Sequence, residues 1–435
     1  SVMRSPVRSP LSSAIGSALS PGFGAPTDYA TTWDFFRGDA EFAKTPWAAR
    51  SRTTPAYRVN ASGLLESTAS PRLEHNPATL IARGLMVEGS ESQLLLATED
   101  LPSASWTKIN TPTIVGNVAV APDGTTTADS IQNTSGVAVR YAAQTRTVSP
   151  NSTVTVSALV KKEASETEYG GFTLDFQGGT RRLCYIGVSA STGAWGVLAG
   201  STLTASVVSE DFGAYWRFSA TVTDNGSNTS ASTYYYSNIS TNLSNLTTAG
   251  PGSPRIVWGL NLVVRNYLSS YIRGAAVSPS TRDADNWLID GSDFAPTYAT
   301  DSFTWFADVQ LDTVGTVFCL SDGTATNQVL ARVTASTVDL VAGGATLASA
   351  SRAFTPGRMK IAVSGDALET VLAVNGSTYV GAAVPGGIRA AIDRGSICAV
   401  DGATPAATGR RIYISAYGVP TKKEVSALAA ETTFS

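Results

Sequence analysis

Apolar side chains fall on every second residue through two long stretches of this chain, and that periodicity limits the fold more than any other feature. From Tyr215 to Thr223, Trp216, Phe218, Ala220 and Val222 share one face, while Tyr215, Arg217, Ser219 and Thr221 share the other. Val154, Val156, Ala158 and Val160 repeat the pattern, as do Phe172, Leu174 and Phe176, then Ile256, Trp258, Leu260, Leu262 and Val264. A period of two means strands with one buried face, and many short runs of it mean stacked antiparallel sheets. Trp216 and Trp258 are expected to anchor this first core, since a large aromatic buries about 150–250 Å². A second set follows from 300 to 420: Phe303, Trp305, Ala307, Val309 and Leu311, then Met359, Ile361 and Val363, then Leu372 and Val374. Asn375-Gly376 separates two of its runs, and that pair suits a type I′ hairpin turn, where both residues need positive φ.

The expected fold is all-β: two antiparallel β-sandwiches of jelly-roll type after an extended N-terminal arm, with one short C-terminal helix. Residues 1–30 read as the arm, because Pro6, Pro10, Pro21 and Pro26 alternate with Ser, Gly and Ala and leave little to bury. Residues 31–90 read as a small β-rich region marked by Trp33, Phe35, Phe36, Trp47 and Tyr57, with turn signals at Asn60 to Gly63, Ser70-Pro71 and Asn76-Pro77. The two sandwiches are placed at 91–280 and 281–435. The helix is expected near the end, where Thr421 and Glu424 have capping-box spacing and Val425, Leu428 and Ala429 make a short apolar stripe. No repeat of about 20–50 residues is visible, which argues against a β-helix or a propeller.

Length and charge narrow the function. A chain of 435 residues needs more than one core. Hydrophobic residues make up 43% and charged residues only 15%, so hydroxylated and small side chains cover much of the surface. The net charge of −3 and the lack of basic runs longer than Lys161-Lys162 or Lys422-Lys423 exclude a phosphate-binding footprint, so no nucleic-acid partner is expected. No apolar run approaches the roughly 18 residues that span a bilayer, and Ser1 to Ser20 has no continuous apolar segment of a signal peptide. Cys184, Cys319 and Cys398 are odd in number and widely spaced, which points to buried thiols and assembly in a reducing cytoplasm.

Spaced motifs bring a family into view. Gly84-Leu85-Met86-Val87-Glu88-Gly89, then Leu94 to Leu101, then Trp106-Thr107-Lys108 resemble a signature of tailed-phage structural proteins, in which "Gly-Leu-Leu-x-Glu" leads into "Asn-Leu-Leu-x-x-Ser-Glu-Asp" and a tryptophan. Gly63-Leu64-Leu65 and Pro71-Arg72-Leu73 resemble the segments before it, and Ala121 to Asp129 and Val156 to Lys161 resemble strands after it. Ser270-Tyr271-Ile272 through Thr281-Arg282-Asp283-Ala284-Asp285 is similar to the linker into a laminin-G or concanavalin-like sandwich, and Arg410 to Leu428 to its closing strand and helix. The chain departs from the pattern at Gln93, Asn261 and Val263. The resemblance implies a carbohydrate-binding-module-like jelly roll followed by a laminin-G-like sandwich. It implies a virion protein of fibre, spike or head-decoration type, with other virion proteins and host surface polysaccharide as partners and homo-oligomeric assembly, trimeric by preference.

Catalytic patterns are sparse. A nucleophilic triad would have to use His75, the single histidine, which sits in a turn-like segment, and no Gly-x-Ser-x-Gly elbow occurs. Glu163, Glu166 and Glu168, or Glu210 and Asp211, could hydrolyse glycosides only if held about 5–10 Å apart, and solvated loop charge is the simpler reading. Zinc-ligand spacing is absent. Asp283, Asp285, Asp290 and Asp293 form an acidic loop that leaves calcium open, with a solvated linker preferred. No enzyme, metal or cofactor is expected. Glycan binding needs exposed aromatic faces beside polar groups. Tyr234 and Tyr236 must share one strand face, and Trp195 lies between two glycines, so these three are the candidate glycan contacts. The rival reading packs them in a core or subunit interface, and a capsule depolymerase is the remaining alternative.

Overall fold

Strict alternation becomes four large antiparallel sheets, two to a sandwich. The computed structural model describes residues 32–33, 54–69, 71–136, 138–246, 250–285, 287–397, 399–400, 404–405 and 410–433. The arm expected at 1–30, most of the aromatic stretch after it, and Cys398 lie outside the described residues. In the middle sandwich, one sheet runs in the order Trp195–Val197, Arg182–Val188, Tyr169–Gln177, Ser230–Ser240, Tyr141–Thr147, Thr107–Ile109. The facing sheet runs Ser206–Phe212, Tyr215–Thr223, Thr153–Lys161, Arg255–Val263, Ala128–Gln132, Thr113–Ala119. Val154, Val156, Ala158 and Val160 meet Phe172, Leu174, Phe176, Phe218, Ala220 and Val222 between the layers. Cys184 is buried there as a free thiol, pushed up to about 11 by burial.

One strand breaks the expected alternation. Val257, Leu260 and Leu262 face the sandwich core, but Trp258 points to the outer face with Leu159. A register shift between Ser157 and Leu159 marks a β-bulge, and Gly259 adopts φ +64° within it. The extra residue flips the side-chain parity. Only glycine takes that backbone angle without strain. Trp258 therefore anchors a second, smaller core: it stacks on Tyr271 at 4.8 Å and donates its indole N–H to Thr127 Oγ1 at 3.0 Å. Trp216 is only partly buried, with Lys162 Nζ 4.2 Å above its ring.

The C-terminal sandwich is assembled from distant parts of the chain. Its first sheet runs Ser377–Ala382, Glu369–Val374, Gly357–Asp366, Ser302–Leu311, Arg410–Val419, Ala82–Glu88, Arg72–His75, and Thr32–Trp33 also pairs with Arg410–Val419. The second runs Trp287–Asp290, Arg394–Ile397, Gly315–Ser321, Gln328–Val333, Thr337–Ala342, Ala345–Ser351. Phe303, Trp305, Val309, Ile361 and Leu372 fill the space between them. Residues 72–88, which the sequence groups with a small N-terminal region, extend this sheet and bury Leu73, Leu85 and Val87 in its core. The hairpin Ala56–Val59 and Leu65–Thr68 instead packs against Trp258, Tyr271 and Leu159 of the middle sandwich. The N-terminal region is thus shared between the two bodies.

Local signals hold at the turn and fail at the cap. Asn375 and Gly376 have φ +47° and +87° between Glu369–Val374 and Ser377–Ala382, as a type I′ turn requires. The helix Val425–Thr432 starts from Glu424 with no side-chain cap, so the Thr421–Glu424 capping box does not form. The preceding chain is held from the sheet instead: Thr304 Oγ1 donates to the Thr421 carbonyl at 2.8 Å, and the Lys423 amide donates to Ser364 Oγ at 3.0 Å. Leu428 then buries against Phe306, Ala362, Val371 and Ala373 on the outside of the sheet.

A buried ionic hub joins the sandwiches. Arg72, fully buried, reaches Glu88 at 2.7 Å, Ser270 Oγ at 2.8 Å and the Asp285 carboxylate. Arg282 pairs with the same Glu88 and donates to the Gly89 carbonyl at 2.7 Å. Ser270 returns two bonds to Glu88, from its amide at 2.8 Å and its hydroxyl at 2.6 Å. Burial pulls the pKa of Arg72 down, but Asp285 and Glu88 outweigh it and hold the guanidinium above the ordinary arginine value. Asp285 is therefore no part of a solvated linker. Each motif that carried the family resemblance around this joint contributes a member to it.

Candidate functional site

The strand Ser230–Ser240 lies at the centre of one middle-sandwich sheet, between Tyr141–Thr147 and Tyr169–Gln177. Alternation turns Ala231 and Tyr235 into the core, where Tyr235 packs on Phe172 at 5.5 Å. Tyr234 and Tyr236 therefore face outward. Register sets their neighbours: Tyr234 lies between Ala143 and Thr173, and Tyr236 lies between Tyr141 and Gly171. Tyr141 stacks at 4.9 Å on Tyr234 and 4.8 Å on Tyr236, and these two rings meet edge to face at 6.5 Å. Tyr185, Val139 and Leu198 complete the cluster.

A carboxylate sits at the edge of this aromatic patch. Asp175 follows the outward parity of Thr173, opposite the core residues Phe172, Leu174 and Phe176. Its Oδ2 accepts from Tyr234 OH, Gln177 Nε2 and Arg181 Nη2, each at 2.7 Å, and its Oδ1 accepts from Arg181 Nε at 2.9 Å. Burial raises the carboxyl's pKa, but these hydrogen bonds outweigh it and hold the group below the ordinary aspartate value. The Tyr234 phenol is pushed up to about 12, first by burial and then by its bond to Asp175. Arg181 keeps 60% of its side chain exposed while its fork grips the buried acid. The surface offered to solvent is thus partly exposed phenol rings beside a fixed guanidinium and an amide.

The three sequence candidates do not form one site. Tyr234 is partly exposed, whereas Tyr236 keeps only 5% of its surface and receives a 3.4 Å bond from Thr173 Oγ1. Trp195 is 42% exposed on the edge strand Trp195–Val197, but it pairs with Val188, a core residue. Paired residues share a face, so Trp195 belongs to the side away from the tyrosines. Gly196, one residue on, takes the tyrosine side, where a Cβ would come within 1.9 Å of the Leu243 carbonyl. The loop after Ser230–Ser240 covers that part of the sheet. Sequence reasoning missed Tyr141, Asp175 and Arg181. The available signal was an acid at an outward position of an apolar strand, followed by arginine across the Gly178-Gly179 turn.

Four of the five acids weighed as catalytic pairs are engaged elsewhere. Glu163 and Glu166 are not solvated loop charges: both bind the buried Arg255, at 2.6 and 2.9 Å, and Glu166 also accepts from Ser189, Ser191 and the Ala190 amide. Glu210 pairs with Arg83 at 2.7 Å, and Asp211 with Lys162 at 2.6 Å. His75 is buried with Nδ1 3.3 Å from the Val59 carbonyl. Among the described residues no group of three or more His, Cys, Asp or Glu side chains is placed to hold a metal ion.

No family model matches the chain, and no curated protein matches it. Among solved structures it is similar to domains LG4-5 of the mouse laminin alpha1 chain, with 12% identity over 62% of this chain and 84% of that chain and a TM-score of 0.22.

Proposed function

We propose that this chain is a non-enzymatic structural protein of a phage or phage-like particle that adheres to host surface polysaccharide through the outer tyrosine face of its middle sandwich. The reading places it in the virion as a fibre, spike or head decoration, assembled as a homo-oligomer, trimeric by preference, on other virion proteins. One observation carries the adhesive part: Tyr141 and Tyr234 lie partly exposed on a sheet beside Arg181 and Gln177. Sugars present apolar C–H faces that stack on such rings, while their hydroxyls need fixed polar partners. The carboxylate of Asp175 already accepts four hydrogen bonds, so it positions Tyr234 and Arg181 and leaves direct sugar contacts to them. The virion part rests on the spaced motifs that resemble tailed-phage structural proteins.

The burial of Tyr236 favours a second reading, in which the face is packing surface in a purely structural fibre or decoration module. A capsule-glycan array separates the two. Binding is expected for the wild type, with loss in Tyr234→Ala and Tyr141→Ala and retention in Trp195→Ala, which lies on the other side of the sheet. Absence of binding by the wild-type oligomer would remove the adhesin reading. Incubation with purified capsule tests the depolymerase alternative: new reducing ends or unsaturated sugars would overturn the non-enzymatic reading.

A further inference from the structure

A groove of about 850 Å³ runs between the two sandwiches, within the roughly 300–1,000 Å³ range typical of small-ligand sites. Its floor is the outer face of the strand Tyr215–Thr223, where Ser219 and Thr221 point away from the core, together with Tyr267 of the linker. One wall is the edge strand Ser206–Phe212, with Val208 53% exposed, and the other is the turn ending at Ile81. The C-terminal sandwich closes one side through Gln310, Asp312 and Pro356. Arg83 and Glu210 join across the two bodies at 2.7 Å, so these two charges of the lining are engaged with each other.

We infer that this groove is a second ligand site, independent of the tyrosine face, and that it takes an uncharged oligosaccharide chain. The lining dictates the class. Hydroxyl and amide side chains supply both donors and acceptors along both walls, which suits a ligand that carries hydroxyls along its length. Between them Val208, Ile81 and Pro356 offer aliphatic patches of the size of a sugar C–H face. An anionic chain would lie beside the carboxylates of Asp312 and Glu210, and a cationic one would have to compete for Glu210 with Arg83. The site spans both sandwiches, so an occupant touches each of them.

Methyl-labelled full-length protein tests this, because Ile81 and Val208 report from the groove. The probes are neutral hexamers of maltose, cellobiose, xylose, mannose and chitin type, with a galacturonate hexamer as the anionic contrast. At least one neutral hexamer should shift both methyls saturably. Affinity should fall roughly tenfold or more in Ser219→Phe, which fills the floor. Val208→Lys, on an exposed edge outside the core, should weaken it similarly as read at Ile81. Tyr234→Ala should leave the shifts intact, which keeps this site distinguishable from the tyrosine face. The inference is overturned by no shift with any neutral hexamer, by shifts with galacturonate alone, or by shifts that survive both groove variants. A change of sedimentation in Val208→Lys without any glycan effect would assign the groove to a protein segment instead, and also overturn it.

Discussion

The two sandwiches treat the outer face of a central sheet in opposite ways. On the C-terminal sandwich, Phe306, Ala362, Val371 and Ala373 make that face apolar, and the helix Val425–Thr432 covers it with Leu428. On the middle sandwich, Tyr141, Tyr234 and Tyr236 occupy the equivalent layer; Tyr236 is buried, but Tyr141 and Tyr234 stay partly exposed, with the Tyr234 hydroxyl bound to Asp175. A face of phenylalanine and alanine needs a lid, whereas a face of phenols remains available for contact. On the proposed adhesive reading, one sheet is left to packing and the other to recognition.

The sharpest way to break this comparison is to separate the two bodies. Arg72→Ala leaves Glu88 and Asp285 buried without their shared partner, and breaking such a pair costs roughly 3–5 kcal/mol. Thermal unfolding should lose its joint transition and show the sandwiches melting apart. Removing the lid should come next: Leu428→Ala is expected to cost about 2–4 kcal/mol, confined to the C-terminal sandwich, in a denaturant titration followed by amide exchange. On the tyrosine face a conservative change should cost less. Tyr234→Phe deletes one hydrogen bond to the carboxylate, about 1–2 kcal/mol, and calorimetry of the middle transition measures it.

Acid gives the smallest and most selective effect. The folded-state pKa of Asp175 lies below its ordinary value, so its contribution is complete above the unfolded pKa near 3.9 and fades as pH falls through the folded value. As pH falls below about 4, the middle sandwich should therefore lose stability more steeply in the wild type than in Asp175→Asn. Equal slopes would show that the carboxylate is not held by Arg181 and Tyr234.

Much of the architecture could be read from the chain because burial enforces alternation residue by residue. Val154 to Val160, Phe172 to Phe176 and Phe303 to Leu311 all face the cores their spacing implies. Asn375-Gly376 was legible because a tight turn depends on backbone angles that only a few residues adopt. Trp258 was not, since a single inserted residue reverses a face and leaves only Gly259 as its trace. The hub residues were visible as motifs, but Arg72 and Asp285 lie over two hundred positions apart and their meeting depends on the whole topology. The tyrosine face was half legible for the same reason: Tyr234 and Tyr236 are neighbours along one strand, whereas Tyr141 and Asp175 reach them across strands.

The short ribbon in which Glu91–Gln93 pairs with Ser280–Arg282 has a wider consequence. The middle body enters at Gln93 and leaves at Ser280, and those two residues are cross-strand partners, about 5 Å apart. It is plugged in as a cassette, its ends pinned by one antiparallel rung beside Arg282 and Glu88. The rung alone does not hold it: the Ala56–Val59 and Leu65–Thr68 hairpin packs on Trp258 and Tyr271 of that body, and Ser270 bonds Glu88, so any exchange of the cassette must also reproduce that face and that contact.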